Sequence, residues 1–314
     1  MKNKILIITP VKHIQGLFNK LTKIGRIRMF ENISNTQFNK LKDEYTAIFT
    51  NPNKSKIFLG EQNLRKFSKL KVICTASTGI NHIDFNFCKK KNIKIISITK
   101  DKKVINRISS TAELAFALTL SSIRNLIPAY LDVQSRNWDY EKFIGRQMNS
   151  LNIGIIGYGR LGKLFHKYCK AFKANVKIYD PFIKKKSKKF ISIRKLLKDS
   201  DLISLHIHST NNYKFLNKDK FSLMKKSVII VNTSRGEIID EKALVTFLKK
   251  NKKAKIATDV LSNEIKNKFS SILYKYSLKN KNQVIITPHI GGMTIEGQEI
   301  AYTHAAYKLS KFLK

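Results

Sequence analysis

The chain has 314 residues, of which 42% are apolar, and it carries 61 Lys and Arg against 21 Asp and Glu. This length allows a sizeable core in two domains, and no apolar run approaches the length that a membrane helix needs. The formal net charge of +40 would suit a nucleic-acid binder. However, the lysines are scattered from end to end, with one dense run at 184–189 that has no stacking aromatics interleaved. Nucleic acid is therefore not expected as a partner.

Short apolar runs alternate with longer amphipathic stretches along most of the chain. Each run is rich in Ile and Val and lacks clean alternation, which is typical of strands buried on both faces of a parallel sheet. The stretches between the runs are long enough for crossover helices, so the pattern predicts the doubly wound α/β class. The predicted strands are 4–9, 45–50, 71–77, 93–98, 151–157, 175–180, 201–207, 227–234, 255–260 and 283–289.

The stretch 109–126, SSTAELAFALTLSSIRNL, is predicted to form a long helix that is apolar nearly all round. Ser110 and Glu113 have the S-x-x-E spacing of a capping box ahead of the apolar run. Such a helix is expected to be buried deep or between domains. We expect the chain to pass from one domain to the next near its start.

The predicted strand 151–157 ends in GYGRLG, residues 157–162, and an amphipathic helix and a second strand ending at Asp180 follow. This context fits a dinucleotide-binding fingerprint: the glycines let the backbone approach a pyrophosphate, and the acid binds the ribose hydroxyls. A carboxylate repels a 2′-phosphate, so Asp180 favours NAD over NADP, a preference that the lysines from Lys184 onward weaken without reversing. The predicted NAD contacts here are Gly157, Gly159, Arg160, Leu161, Gly162 and Asp180.

Three further stretches follow predicted strands, and in an open α/β sheet such exits face the ligand crevice. In VNTSRGEIID, Arg235 can grip a carboxylate with its planar fork or form an ordinary surface salt bridge. In ATDVLSNE, Asp259 and Glu264 can be ordinary loop acids. In ITPHIGG, His289 follows a rigid proline and precedes a glycine pair. It is either a loop residue or a proton carrier, and these residues alone leave the alternatives open.

Taken together, these stretches resemble the signature of the D-isomer-specific 2-hydroxyacid dehydrogenases. The shared motifs are N-T-S-R-G-E-I-I-D with Arg235, A-T-D-V-L-S-N-E with Asp259 and Glu264, and T-P-H-I-G-G with His289. Further matches are A-S-T-G-I-N-H-I-D at 76–84, T-A-E at 111–113 and S-L-H-I at 204–207. The motifs occur in the order of the family and cover nearly the whole chain.

The resemblance implies a role for each matching residue. Arg235 would hold the carboxylate and carbonyl of a substrate, and Glu264 would orient His289 and stabilise its protonated form. His289 would then donate a proton to a ketone, or take one from an alcohol in the reverse reaction. Asp259 would contact the nicotinamide amide group. The other implied contacts are Thr111, His206 and Thr233 along the cofactor, and the backbone of Thr78 and Gly79 at the substrate carboxylate.

The resemblance also implies two doubly wound α/β domains, with a Rossmann NAD-binding domain inserted into a flavodoxin-like substrate domain. The substrate domain would comprise residues 1–105 and 290–314, and the NAD-binding domain residues 106–289. The implied activity is NAD-dependent interconversion of a D-2-hydroxy acid and its 2-keto acid by a homodimer, as in phosphoglycerate dehydrogenase or a glyoxylate/hydroxypyruvate reductase. The alternative is a non-catalytic NAD-sensing protein, similar to a transcriptional corepressor, on the same fold.

The three cysteines, Cys74, Cys88 and Cys169, are odd in number and widely spaced. They lack the paired spacing of metal ligands, so no metal site is predicted and a reduced, cytoplasmic protein is expected.

The chain departs from the family pattern at two positions near the predicted site. Ile265 stands where the glutamate motif usually continues into proline, and His208, interpreted as a structural variant, stands where proline usually follows S-L-H-x. The residues that select the substrate side chain are expected in loops near 51–56 and 80–82. There, Lys54 and Lys56 could meet a phosphate or a second carboxylate, but solvated loop lysines are the preferred interpretation.

Overall fold

The computed structural model of the chain describes residues 3–51, 57–183 and 187–314. The chain forms two compact units, a first unit of Met1–Ile108 with Gly292–Lys314 and a second unit of Ser109–Gly291. Lys54, Lys56 and residues 184–186 of the basic run lie outside the described residues, so the interpretation of these lysines stays a prediction.

The first unit is a parallel sheet with helices on both faces. Its strands are β1 (Lys4–Ile7), β2 (Arg26–Met29), β3 (Ala47–Thr50), β4 (Val72–Thr75) and β5 (Lys94–Ile96). Its helices are α1 (Leu17–Thr22), α2 (Asn35–Asn39), α3 (Glu61–Leu64), α4 (Phe85–Lys90), α5 (Lys102–Ile105) and the C-terminal α14 (Ile295–Leu313). The five strands lie in the order β2-β1-β3-β4-β5. Ile5 and Ile7 of β1 pack with α1 and α14 on one face, while Leu6 packs with α2, α3 and α4 on the other.

The second unit is a larger sheet of the same kind. Its strands are β6 (Asn152–Ile156), β7 (Asn175–Tyr179), β8 (Leu202–Leu205), β9 (Ile229–Asn232), β10 (Lys255–Thr258) and β11 (Val284–Ile286). Its helices are α6 (Ser110–Ile123), α7 (Leu126–Gln134), α8 (Arg160–Ala171), α9 (Ile193–Asp199), α10 (Lys218–Ser222), α11 (Glu241–Lys250), α12 (Glu264–Asn267) and α13 (Ile272–Ser277). Short 3-10 turns lie at Tyr140–Phe143, Met148–Ser150, Gly236–Ile238 and Lys268–Ser270.

The six strands of the second unit lie in the order β11-β10-β9-β8-β6-β7, and every neighbouring pair is parallel. The chain leaves β6 toward β7 on one side and then returns to β8 on the other side of β6. The strand order therefore reverses between β6 and β8, and open α/β sheets bind ligands outside the carboxyl ends of the strands at such a point. This topology determines where the site of this unit is expected.

The doubly wound α/β prediction is confirmed, and each of the ten predicted strands contains an observed strand. The prediction missed β2, whose sequence RIRM alternates exposed and half-buried residues. β2 lies at the edge of its sheet, where basic side chains reach solvent, so it lacks the apolar run that reveals a buried strand.

The predicted capping box at the start of the long helix is wrong. Ser109, not Ser110, is the N-cap of α6, and its side chain makes no capping hydrogen bond. The helix also ends at Ile123, because Asn125 adopts a left-handed conformation with φ of 53° before α7 begins. No single helix of the described residues is long and apolar enough to cross a membrane, although the bent pair 102–123 and 126–134 meets that test by length and composition alone.

Candidate active site

The glycine loop after β6 has the geometry of a ligand cradle. Gly157 has a φ of 93°, and a Cβ added there would lie 2.5 Å from the carbonyl oxygen of His206. A Cβ added at Gly162 would overlap the carbonyl of Gly157. At Gly159, by contrast, a Cβ would meet no heavy atom within 4 Å. The outer two glycines are therefore required by the packing of the loop, while the middle one borders open space that a pyrophosphate can approach.

Helix α8 begins directly at this loop. Its N-cap is Gly159, which has no side chain to cap the first turn. The positive end of the helix dipole therefore lies toward the loop, as in anion-binding helix termini. Arg160 and Leu161 occupy the first two helical positions and are half-buried. Burial lowers the pKa of Arg160 below its usual value.

Asp180 lies just beyond β7 and is bonded to the same loop. Its Oδ2 accepts a hydrogen bond of 2.7 Å from the N–H of Tyr158, and its Oδ1 accepts one of 2.9 Å from the N–H of Phe182. A carboxylate oxygen has more than one lone pair, so both oxygens can still accept from ribose hydroxyls. The carboxylate therefore orders the glycine loop and remains a suitable ribose acceptor.

His206 follows β8 and lies behind the glycine loop. Its Nε2 is 2.9 Å from the hydroxyl oxygen of Ser204, and its ring packs against that of Phe165 with centroids 5.0 Å apart. Burial lowers the pKa of His206 to about 3. The imidazole is therefore uncharged at ordinary pH, and it lines the site without supplying a charge to a ligand.

Arg235 stands on a tight turn after β9. The side-chain amide of Asn232 donates to the carbonyl of Arg235 at 3.0 Å and accepts from the N–H of Ser234 at 3.0 Å. Burial lowers the pKa of Arg235, and the nearby carboxylates of Glu237 and Glu264 oppose that shift. The guanidinium is thus held in a partly buried position close to acidic groups, and the buried Thr233 lies on the same turn.

His289 and Glu264 form a direct pair. The Nδ1–H of His289 donates to Oε1 of Glu264 across 2.6 Å, and the two side chains are 29% and 28% exposed. Oε2 of Glu264 also accepts a long bond of 3.4 Å from the N–H of Leu261. Because Nδ1 is engaged by the carboxylate, Nε2 is the imidazole nitrogen available to a substrate. Side chains that follow β10 and β11 are thus brought together as a possible proton relay.

Asp259 is only 2% exposed, and its carboxylate holds the backbone beside His289. It accepts hydrogen bonds from Thr287 Oγ1 (2.6 Å), the N–H of Ile290 (2.8 Å) and the N–H of Gly291 (2.7 Å). Burial raises the pKa of Asp259, and these bonds and His289 oppose the rise. The hydroxyl of Thr111 donates to the carbonyl of Gly291 at 2.9 Å. Besides any contact with nicotinamide, Asp259 therefore anchors the segment that carries His289.

Thr78 and Gly79 belong to the first unit and follow β4. The carbonyl of Thr78 accepts from Thr99 Oγ1 at 2.6 Å, and that of Gly79 accepts from Ser77 Oγ at 2.5 Å. With their carbonyls engaged in the loop, their N–H groups are the backbone groups that could meet a carboxylate. Their predicted role as substrate contacts stays a prediction.

Several supporting residues were not predicted from the sequence. They are Asn232, which shapes the Arg235 turn, Ser204, which bonds His206, Thr287, which bonds Asp259, and Glu241, whose carboxylate contacts the Glu264 segment. Asn232 and Thr287 lie inside the motifs N-T-S-R and T-P-H, so their position beside a functional residue was a usable signal. Glu241 gives no such local signal, because its partners lie 21 to 32 residues away.

The reversal of strand order, the glycine cradle and the acid at the end of β7 together define a dinucleotide-binding protein of the doubly wound class. Residues 116–291 match the family described as D-isomer specific 2-hydroxyacid dehydrogenase, NAD binding domain. The chain belongs to the D-isomer specific 2-hydroxyacid dehydrogenase family, and the resemblance of its motifs is confirmed.

Individual relatives cover the chain to different extents. It is 31% identical to D-3-phosphoglycerate dehydrogenase of Methanocaldococcus jannaschii over 99% of its own length and 57% of that protein. It is 32% identical to glyoxylate reductase of Thermococcus litoralis over 80% of its length and 76% of that protein. A solved D-lactate dehydrogenase from Aquifex aeolicus, complexed with NAD and lactic acid, superposes with a TM-score of 0.80 at 29% identity, covering 99% of this chain and 95% of that one. The chain spans about half the length of the phosphoglycerate dehydrogenases it matches.

The neutral state of His206 predicts a pH-dependent loss of stability. The pKa of His206 is about 3 in the folded chain, against ~6.5 for an unfolded histidine. The unfolded state therefore binds more protons between these values, so stability should fall as the pH is lowered through this window, by on the order of 1 kcal/mol per pH unit. His206→Gln should remove this part of the dependence in urea unfolding, whereas the same change at the exposed His208 should not. Titration of the His206 ring by NMR near neutral pH would contradict the assignment.

Proposed function

We propose that the chain is an NAD-dependent dehydrogenase that interconverts a D-2-hydroxy acid and its 2-keto acid. The observation that carries the proposal is the 2.6 Å pair of His289 and Glu264 in the unit that also holds the glycine loop and Arg235. Proton donor, carboxylate-binding cation and dinucleotide loop are the three parts that such a reaction requires. The second unit would be the NAD-binding domain, and the first the substrate domain.

NAD fits the residues that the second unit presents. The open space at Gly159 and the uncapped start of α8 suit the pyrophosphate, and the carboxylate of Asp180 suits the ribose hydroxyls. When bound, the reduced nicotinamide supplies the hydride. The neutral His206 and the buried Thr233 would line the groove without adding charge.

Each catalytic side chain has a role that follows from its chemistry. The planar fork of Arg235 can bind the substrate carboxylate with two parallel hydrogen bonds. His289, held at Nδ1 by Glu264, would deliver a proton from Nε2 to the carbonyl oxygen of the keto acid, and would take it back in the oxidative direction. Glu264 would keep the ring oriented through its bond to Nδ1. Asp259 would keep the backbone of Ile290 and Gly291 in place beneath it.

The substrate is proposed only as a class, with glyoxylate, hydroxypyruvate and phosphohydroxypyruvate as the first candidates. Relatives of the chain are named for phosphoglycerate, glyoxylate and hydroxypyruvate. The loops expected to choose the side chain include 80–82 of the first unit. The three cysteines are free and buried, which supports a reducing, cytoplasmic location that fractionation of the native cells would check.

A homodimer is proposed from the surface of the second unit. The segment 126–144, which we call the arm, exposes eight large apolar side chains, among them Trp138 at 87% and Tyr140 and Ile144 at 80%. The arm holds three acids and two bases, a net charge of −1, in a chain of net charge +40. Two copies of a strongly basic chain repel each other. The arm is an exposed apolar patch without the cationic excess of the rest of the chain, so it is suited to contact a second copy.

The decisive test of the function is turnover of a panel of 2-keto acids with NADH, compared with His289→Gln. The parent should reduce at least one keto acid, and His289→Gln should lose about 10²–10⁴ in kcat/KM with unchanged NADH affinity, because a general acid is removed. Arg235→Lys should instead raise KM strongly, since it keeps the charge but loses the fork. A parent that binds NADH yet reduces none of the acids would favour the corepressor-like alternative.

The carboxylate of Asp180 should make NADH bind more tightly than NADPH, by roughly 1–3 kcal/mol, through repulsion of the 2′-phosphate and loss of the ribose bonds. Fluorescence titration of both cofactors measures the difference, and Asp180→Asn should reduce it. Among the described residues, Lys163 and Lys189 would act in the opposite sense, since their ammonium groups lie 5.9 and 5.4 Å from the ring centroid of Tyr158, whose N–H bonds Asp180. NADPH binding as tight as NADH binding would mean that the lysines dominate.

The homodimer is tested by sedimentation at micromolar concentration. The parent should sediment as a dimer, and the double variant Trp138→Asp with Ile144→Asp should sediment as a monomer, because each change places a charge in the apolar arm. Tyr213→Asp introduces one such charge at a site that is 71% exposed outside the arm, and it should leave the dimer intact, whereas either single change within the arm should weaken it. A monomeric parent, or a double variant that remains dimeric, would refute the role of the arm.

A further inference from the structure

The carboxylate of Glu241 ties together the two ends of the segment that carries Glu264. Its Oε1 accepts a hydrogen bond of 2.9 Å from the N–H of Ser262. Its Oε2 accepts one of 2.8 Å from the hydroxyl of Ser271 and one of 3.3 Å from the N–H of Leu273. Ser271 is also the N-cap of α13, where its oxygen accepts from the N–H of Tyr274. One half-buried side chain thus bonds Ser262, which lies two positions before Glu264, and Ser271, which lies seven positions after it.

The backbone of the segment between these ends has little local support in the part of the chain that the structure describes. Glu264 is the first residue of the four-residue helix α12, which is too short to be stable alone. The preceding Asn263 has a φ of 57° and makes no side-chain capping bond. Position 265 is isoleucine, so the fixed φ that proline would impose after the glutamate is lacking. The position of Glu264 therefore depends on what holds the segment from outside.

The same segment packs against the turn that carries Arg235. A Cβ added at Gly236 would overlap the backbone of Leu261 and the nitrogen of Ser262. Gly236 follows Arg235 directly, and Glu241 begins α11 five residues later, with Asp240 as its N-cap. Glu241 and Gly236 therefore approach Ser262 from one continuous stretch of chain. This stretch couples the position of Arg235 to that of Glu264.

We propose that Glu241 is a positioning residue for the His289–Glu264 pair. This inference rests on the proposed function of that pair as a proton relay. The role requires two acceptor oxygens, because the backbone N–H groups of Ser262 and Leu273, which can only donate, reach different oxygens of the carboxylate. An amide of the same shape offers only one acceptor and turns an NH₂ group toward the other donor. The exchange of Glu241 for glutamine therefore sets the NH₂ group against a backbone N–H at one end of the segment, that of Ser262 or of Leu273, without leaving a cavity.

The first experiment compares Glu241→Gln with Glu61→Gln. Both residues open a helix with an acid in the first turn, and Glu61 is exposed, so the control removes the same charge from an equivalent place. Glu241→Gln should lower kcat for ketone reduction roughly 10- to 100-fold, since small displacements of a catalytic group cost that much. KM for the keto acid and the dissociation constant of NADH should stay within about twofold. Unchanged kcat in Glu241→Gln would overturn the proposal.

A double-mutant cycle separates positioning from general loss of structure. If Glu241 acts through Glu264, the double variant Glu241→Gln with Glu264→Gln should be no slower than Glu264→Gln alone. If the losses of kcat in the two single variants multiply in the double variant, the proposal for Glu241 is overturned, while the relay of His289 and Glu264 stands. A Glu264→Gln enzyme as active as the parent would instead refute the relay itself, so the two failures are distinguishable.

A milder variant keeps the test decisive where Glu241→Gln does not fold. Ser271→Ala removes the hydroxyl bond to Glu241 at the far end of the segment, together with the N-cap bond of α13, and leaves both backbone donors to Glu241 in place. It should lower kcat by a smaller factor, with no further loss in the Glu264→Gln background. A Ser271→Ala enzyme with the kcat of the parent would contradict a positioning role for the bond between Glu241 and Ser271.

Discussion

The geometry around His289 depends on one buried carboxylate. Asp259 is almost inaccessible to solvent, and three donors from Thr287, Ile290 and Gly291 converge on it. Burying a charge without such donors would cost several kcal/mol, so the carboxylate and the segment 287–291, which we call the connector, require each other. The connector in turn holds His289 at a φ of 57°, a left-handed conformation that costs a non-glycine residue on the order of 1 kcal/mol. Thr111 bonds the carbonyl of Gly291, which joins the start of α6 to the same point.

The few acids of the chain have an influence out of proportion to their number. Against 61 basic residues there are 21 acids, and four of these, Asp180, Glu241, Asp259 and Glu264, accept backbone hydrogen bonds around the site of the second unit. Carboxylates suit this work because one group accepts several bonds and charge-assisted bonds are stronger than neutral ones. The cationic excess needs no comparable explanation, because most lysines are exposed and solvated.

Much of this architecture was predictable from local pattern. Strands buried on both faces have continuous Ile- and Val-rich runs, so ten strands and the doubly wound class could be predicted, whereas the edge strand β2 could not. The glycine fingerprint was recognisable because its three glycines stand at fixed spacing. Two of them are required by close backbone packing and the third borders open space. The break of the long apolar helix at Asn125 was not predictable, since its apolar pattern continues past the residue that adopts the left-handed conformation. The capping box failed because the S-x-x-E spacing fits several registers, and the helix began one residue earlier.

The sequence by itself determined ten of the strands in their order along the chain, the dinucleotide loop and the family, because these depend on periodicity and on short motifs whose residues act on their neighbours. It left open whether Arg235, Glu264 and His289 were loop residues or a site. Tertiary structure alone decided that the side chains of Glu264 and His289 meet at 2.6 Å, that Asp259 is buried beneath the connector, and that Glu241 bonds both ends of the Glu264 segment. Each of these contacts joins residues more than twenty positions apart. Whether such residues meet in space depends on the packing of whole strands and helices, which no local sequence pattern encodes.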